Sequence, residues 1–345
     1  MHHVRMIISR GFRSFPKMLL LSSFVTMFFL YSMVVSAQAY KLTVTGISTC
    51  YNDTAQIPCP ASGQDFYGQD GNYRMGTALS YTANGDTITD QVTGLIWQAG
   101  NQAGILNWDN AVSYCENLDL AGQTDWRLPT RKELLSITDD GRVEPAINPT
   151  FPCVNNLYWT ISKDGDPYTA YRYSVDFNAG QWGKSYMSVE NNVRCVRGGS
   201  IPESVYVNNG DGTVTDSTTG LVWERAGSDA NMTWKDALAY CENRDTGGKT
   251  EWRLPNKKEL ETLIFDSADE MPISPEFIEP APGRRYWSGS PYVCPRAESW
   301  RVDFDAAKAS YYGNLRYYMY YVRCVYSGGT SASTVPANSL LLINN

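Results

Sequence analysis

Short β-branched runs, two amphipathic stretches and a series of aromatic-rich runs follow one another in this chain, and the order occurs twice. In the second occurrence Asn209-Gly210-Asp211-Gly212 precedes Thr213-Val214-Thr215-Asp216, and Thr219-Gly220 precedes Leu221-Val222-Trp223. Turn residues alternating with short apolar runs predict a hairpin. The amphipathic stretches predict two helices. One has Thr233 as its cap with Ala237, Leu238 and Cys241 on the apolar face; its counterpart has Asn107 with Ala111, Val112 and Cys115. The other starts at Thr130 with Glu133 three residues on, and at Asn256 with Glu259 three on, both capping boxes just after a proline. Leu134, Leu135 and Ile137 face inward in the first copy, as do Leu260, Leu263 and Ile264 in the second. Strands are expected at Tyr158–Ile161, Tyr173–Phe177 and Asn192–Arg197, and again at Tyr286–Ser288, Trp300–Phe304 and Tyr317–Tyr326. Helices followed by strands, with the first and last strands paired, give an α+β domain with a mostly antiparallel sheet.

The two copies share words as well as pattern. Thr93-Gly94-Leu95-Ile96-Trp97, Trp108, Cys115, Trp126-Arg127-Leu128-Pro129, Lys132-Glu133-Leu134, Tyr158-Trp159 and Val193-Arg194-Cys195-Val196 form the first set. Thr219-Gly220-Leu221-Val222-Trp223, Trp234, Cys241, Trp252-Arg253-Leu254-Pro255, Lys258-Glu259-Leu260, Tyr286-Trp287 and Val322-Arg323-Cys324-Val325 form the second. The offset is 126 residues through Leu134 and 129 at the last cysteine, so short loop insertions separate the copies. Units of this length are tandem domains; solenoid units run to about 20–50 residues. The expected domains are residues 81–198 and 208–327, joined by a linker at 199–207. Residues 40–80 read as an irregular lead-in packed on the first domain, and 328–345 as a disordered tail rich in Gly, Ser, Thr and Ala.

Residues 1–39 change the charge and the chemistry. Arg5, Arg10, Arg13 and Lys17 precede an uncharged stretch, and Ala37-Gln38-Ala39 has the small-residue pattern of a signal-peptide cleavage site. The long apolar stretch also fits an uncleaved membrane anchor, the one route by which a membrane enters the reading. Removing those four cations from the 29 Lys and Arg leaves 25 against 36 Asp and Glu, a net charge of −11. So acidic a chain is ill suited to nucleic acid, whose binding neutralises phosphates. Both histidines, His2 and His3, lie in the same segment. The chain beyond it has none, which excludes a Ser-His-Asp triad, a Cys-His pair and any histidine metal site.

Eight cysteines in an exported chain predict disulfides. Cys115 with Cys195 and Cys241 with Cys324 are matched pairs across the copies; Cys50 and Cys59 form a local pair. Cys153 and Cys294 occupy non-equivalent positions, and either bridge the domains or stay free. No C-x-x-C spacing points to a metal site, and no cofactor is implied. The Asn84-Gly85-Asp86 and Asn209-Gly210-Asp211 turns are rich in oxygen ligands; a hairpin turn explains both, with a calcium loop as the alternative, although full EF-hand spacing is absent.

Taken together, the shared words resemble the Lcl C-terminal domain family, named after a bacterial collagen-like adhesin and long a domain of unknown function. The resemblance covers about 245 of the 345 residues. It implies two tandem C-type-lectin-like domains, each with two helices, a twisted sheet and a helix-to-last-strand disulfide. It also implies an exported, periplasmic, surface or secreted protein, with adhesion or glycan binding as its role. The chain has no collagen-like Gly-Xaa-Yaa region, is acidic, and lacks the calcium signature of sugar-binding lectins.

Identity in both copies marks Trp126-Arg127-Leu128-Pro129, its partner at 252–255, Arg194 and Arg323 as framework. Specific binding is then expected where the copies differ. The candidate loops are 138–152 and 265–285, the latter holding the proline-rich segment Pro272 to Pro282. The candidate ligand residues are Trp182, Trp300, Tyr318, Tyr320, Arg284 and Arg285, with core packing the alternative for the two tryptophans. The Tyr317-Tyr318-Met319-Tyr320-Tyr321 run, as a strand, would expose alternate rings. The expected function is non-catalytic recognition of an extracellular glycan or surface protein. The alternatives are an assembly component of a cell-surface complex and, from the likeness of Val193–Ser200 to the ending of formylglycine-generating enzymes, an enzyme of that type.

Overall fold

The lead-in does not simply precede the first copy; it is wedged between both. The computed structural model describes residues 40–100, 103–154, 156–163, 170–265, 273–278, 285–293, 297–304 and 313–326. The expectations for 1–39, 328–345, Arg284, Cys294 and most of the 265–285 loop lie outside these residues. The lead-in carries strands β1 (Cys50–Tyr51) and β2 (Gln56–Ile57), closed by the Cys50–Cys59 disulfide, and a short helix α1 (Asp70–Tyr73). Thr43 Oγ1 donates to the Ser136 carbonyl of the first copy, whereas Ser290 Oγ of the second donates to Asp70 Oδ2. The lead-in packs on the first copy and on the second as well, its contacts divided between them.

In the first copy the elements are β3 (Tyr81–Asn84), β4 (Thr87–Asp90), β5 (Ile96–Gln98), β6 (Ile105–Leu106), α2 (Trp108–Glu116), α3 (Arg131–Ser136), β7 (Leu157–Lys163), β8 (Tyr171–Asp176), β9 (Gln181–Tyr186), β10 (Asn191–Asn192) and β11 (Val196–Arg197). In the second they are β12 (Tyr206–Asn208), β13 (Thr213–Asp216), β14 (Val222–Glu224), α4 (Trp234–Glu242), β15 (Trp252–Arg253), α5 (Lys257–Glu261), β16 (Arg285–Pro291), β17 (Glu298–Asp303), β18 (Gly313–Leu315) and β19 (Val325–Tyr326). Mixed helix and strand, mostly antiparallel, is the class that results. Both copies open with the expected hairpin and return at the end to pair with it. Trp97 faces Val196 in β5–β11, and Trp223 faces Val325 in β14–β19.

Local chemistry explains the helix starts. Thr130 and Asn256 each accept from the N3 backbone, while Glu133 and Glu259 reach back to the cap, completing both capping boxes. The same glutamates receive Arg127 and Arg253 in bidentate pairs at 2.6–2.7 Å, so Trp-Arg-Leu-Pro is framework. The matched disulfides tie α2 to the segment before β11 and α4 to the segment before β19. Arg194 and Arg323 are buried and donate to backbone carbonyls, Arg194 to Gln98, Ala99 and Pro152, and Arg323 to Glu224, Arg225 and Ile278. These inward arginines interrupt the strands that the sequence predicts as continuous over 192–197 and 317–326.

One hydrophobic cluster contains residues of both copies, among them Trp97, Leu134 and Val175 with Trp223, Leu260 and Val302. The second helices α3 and α5 meet there. Lys257 pairs with Asp140, and Lys258 Nζ donates to Thr43 Oγ1 and to the carbonyls of Ser136 and Thr138. The segment 199–207 is part of this junction: Ile201 packs on the shared core, and Ser204 and Tyr206 are buried.

Candidate functional site

Packing takes up one of the two loops where the copies differ. Loop 138–152, expected as a ligand loop, contributes buried Thr138, Asp140, Ala146, Ile147 and Phe151 to packing. Trp182 and Trp300 are 2% and 1% exposed, so both rings pack in the core, the alternative that the sequence left open for them. Each lies under a cation, with Arg131 4.5 Å above the Trp182 ring and Lys257 4.5 Å above Trp300. Desolvated cation–π contacts of this kind add to the cohesion of the core. In sequence, an isolated tryptophan on a strand looks the same inside or outside, so only long-range packing decides the matter.

The tyrosine run of the second copy behaves differently. Tyr317, Tyr318 and Met319 are 65%, 45% and 57% exposed, three neighbours in succession. A strand would have alternated them. The segment is instead a turn held at both ends. At one end Arg316 is buried, stacks 5.0 Å from the Trp234 ring and donates to Ser299 Oγ and the carbonyls of Asn52 and Glu298. At the other end Tyr320 and Met232 exchange backbone hydrogen bonds of 3.0 and 2.9 Å. Between them Tyr318 N bonds to the Leu315 carbonyl, which closes the turn and turns the rings outward. The rings run on from one another: 4.9 Å between Tyr317 and Tyr318, 6.3 Å between Tyr318 and Tyr320, and 4.6 Å from Tyr320 to buried Trp287.

Charge lies beside the rings. Arg285 is half exposed and pairs with Asp303 Oδ2 at 3.0 Å; Arg301 reaches the same oxygen at 3.2 Å and lies 5.2 Å from the Tyr320 ring. Two guanidinium groups share one carboxylate, so this edge is locally cationic on an acidic protein. The hydrogen bond to Asp303 holds the Arg285 guanidinium even more firmly protonated than usual. Three of the sequence-predicted ligand residues, Tyr318, Tyr320 and Arg285, are thereby brought together. Tyr317 and Met319 belong with them, and the signal that finds them is consecutive exposure in a turn.

The corresponding positions of the first copy, Ser188, Val189, Glu190 and Asn191, carry no aromatic ring. The site is a property of the second copy.

Neither of the other chemical candidates is poised for reaction. Cys195 is bound to Cys115. Cys153 is a half-buried thiol pushed up by burial and hydrogen-bonded near Tyr158, the opposite of an activated thiolate. In the Asx turns, Asp211 Oδ1 accepts from Thr213 N and Oγ1, and Asp216 accepts from Thr218, Thr219 and Ser204. These oxygens close the turns, and among the described residues no group of three or more Asp, Glu, Cys or His is placed to hold a metal.

A family model described as the Lcl C-terminal domain matches residues 86–197 and 212–326, the two copies described above. No curated protein matches the chain.

Proposed function

The chain belongs to the Lcl C-terminal domain family, and from that premise we propose that it is an exported, non-catalytic binding protein whose second copy grips an extracellular glycan or surface ligand through the Tyr317–Tyr320 turn. Each copy is taken as a C-type-lectin-like unit, in which the last strand returns to pair with the opening hairpin and a disulfide staples the first helix to the segment that leads into the last strand. Three disulfides suit an oxidising compartment, and no helix among the described residues is long and apolar enough to cross a membrane.

The observation that carries this reading is the run of rings exposed on one copy only, beside Arg285. Tyrosine offers an apolar face for a sugar ring and a hydroxyl for its polar edge at small entropic cost. The capture of Cys195 in a disulfide supports a binding role over that of a formylglycine-generating enzyme. A second reading, an assembly component that recognises protein, is favoured by Met319, an apolar side chain that stacking on sugar does not need.

Calorimetric titration of the full chain with a panel of neutral and acidic oligosaccharides tests the proposal. Binding that Tyr318→Ala and Arg285→Ala both weaken supports it. Absence of sugar binding, with stoichiometric capture of one defined surface protein at the same turn, replaces it with the assembly reading. Binding of any ligand that survives both substitutions undoes the site.

A further inference from the structure

Trp108 and Trp234 are the same residue in the two copies. Each opens the first helix of its copy. Trp234 Nε1 donates to the Ser288 carbonyl at 2.8 Å and Trp108 Nε1 to the Thr160 carbonyl at 2.9 Å. Each carries a guanidinium on its ring, Arg316 at 5.0 Å and Arg172 at 4.5 Å. Yet Trp234 is fully buried, whereas Trp108 is only half-buried.

The lead-in makes the difference. It lays Phe66 against Trp234, ring centroids 6.4 Å apart, and Phe66 adopts a φ of +63°, a left-handed conformation costly for a bulky side chain. Around that ring, Lys235 pairs with Asp65 at 2.7 Å, and Tyr73 OH donates to Glu242 at 2.7 Å along the same helix. Arg316 donates to the Asn52 carbonyl and lies 5.2 Å from the Tyr51 ring. The second copy therefore displays what a covered face looks like: an aromatic on the tryptophan, an ion pair at the next helix residue, and a backbone carbonyl on the arginine.

In the first copy no described segment does this. Arg172 keeps one bond, to the Tyr171 carbonyl, and its Nε is buried without a partner. Ile105 in β6 and Tyr186 at the end of β9, next to the Met187 carbonyl that accepts from Trp108 N, are 53% and 52% exposed. The charge is reversed: Asp109, exposed, stands where Lys235 meets Asp65.

We propose that this face of the first copy docks a loop of a partner protein presenting an aromatic side chain flanked by a basic one. The aromatic covers Trp108, the basic group meets Asp109, and a main-chain carbonyl reaches Arg172. The lead-in of a second copy of this chain is a poor occupant, because its Asp65 would face Asp109, like against like. This surface is separate from the tyrosine turn and stands or falls independently of it.

The probe is a synthetic peptide of residues 50–67 with its disulfide closed, in native form and as Asp65→Lys, titrated into the full chain. The Asp65→Lys peptide binds about fivefold more tightly than the native one, the scale of a single exposed charge contact. Asp109→Lys in the full chain, a surface change that leaves the fold intact, reverses that preference. Trp108→Ala abolishes binding of both. Failure of the Asp65→Lys peptide to bind, or a preference indifferent to Asp109→Lys, overturns the proposal. Concentration-dependent dimerisation of the chain that Asp109→Lys strengthens would overturn it in favour of a second copy as the occupant.

Discussion

Lys257 Nζ and Asp140 Oδ1 lie 2.5 Å apart across the junction of the two copies, and neither side chain retains any exposure to solvent. Removing one partner strands a charge in the shared core. Lys257→Ala is expected to cost about 3–5 kcal/mol, whereas Lys257→Met combined with Asp140→Leu costs much less, because both charges leave together. Guanidinium denaturation of the three proteins measures it. Equal losses for the single and double variants would show that packing, and not the charge, carries the effect.

The junction also sets a pH dependence. Burial pushes Glu261 up to about 7 from 4.5, against the opposing pull of Lys257, Arg131 and Lys258 and with the help of Asp140; burial likewise pushes Asp70 up to about 6 from 3.8. A raised carboxylate holds its proton more tightly in the folded state. The stability it contributes is fully present below the unfolded-state value and is lost as pH rises through the folded one. Stability should therefore fall between about pH 4 and 7. Glu261→Gln should flatten that fall by up to about 3 kcal/mol, the value of its shift at 1.36 kcal/mol per unit. Thermal melts of both proteins from pH 4 to 8 check the slope.

Equivalent ion pairs in different surroundings give an internal control. Arg127–Glu133 and Arg253–Glu259 share one bidentate geometry, yet the Arg127 side chain is 32% exposed and that of Arg253 5%. Arg253→Ala should destabilise by about 3 kcal/mol or more, the scale of a broken buried pair. Arg127→Ala should cost less, about 1–2 kcal/mol, because water reaches its guanidinium although Glu133 beneath it is buried. Equal losses would mean that solvent screening does not distinguish the copies.

The matched disulfides close loops with sequence separations of 80 and 83 residues. Loop-closure entropy assigns each about 4.5 kcal/mol as an upper estimate. Replacing Cys241 and Cys324 together by alanine should lower stability by 2–4.5 kcal/mol on that roughly estimated scale, read from the denaturant midpoint.

These predictions separate what could be read from the sequence from what could not. The capping boxes at Thr130 and Asn256, the hairpin turns and the cysteine pairs are legible because each is a local pattern or an exact recurrence. The fate of Lys257 is not. A Lys-Lys-Glu segment on a short helix reads as a solvated face, and only the opposing copy buries it. Trp182 and Trp300 are buried for the same reason. Tyr318 and Tyr320 come together in a turn and not in the strand that the sequence predicts: a strand exposes alternate rings, and the turn between Arg316 and Tyr320 exposes neighbours. The half-open Trp108 could be found only by comparing the copies in three dimensions, since its sequence context matches that of buried Trp234.

The central claim is that the copies share a framework and bind where they diverge. Substituting Tyr317→Ser, Tyr318→Val and Met319→Glu together gives the second copy the residues of the first, and ligand binding and melting temperature are then measured on the same sample. The account predicts that binding is lost while stability changes by no more than about 0.5 kcal/mol, as for surface substitutions generally. Retained binding, or a collapse of the fold, would contradict it.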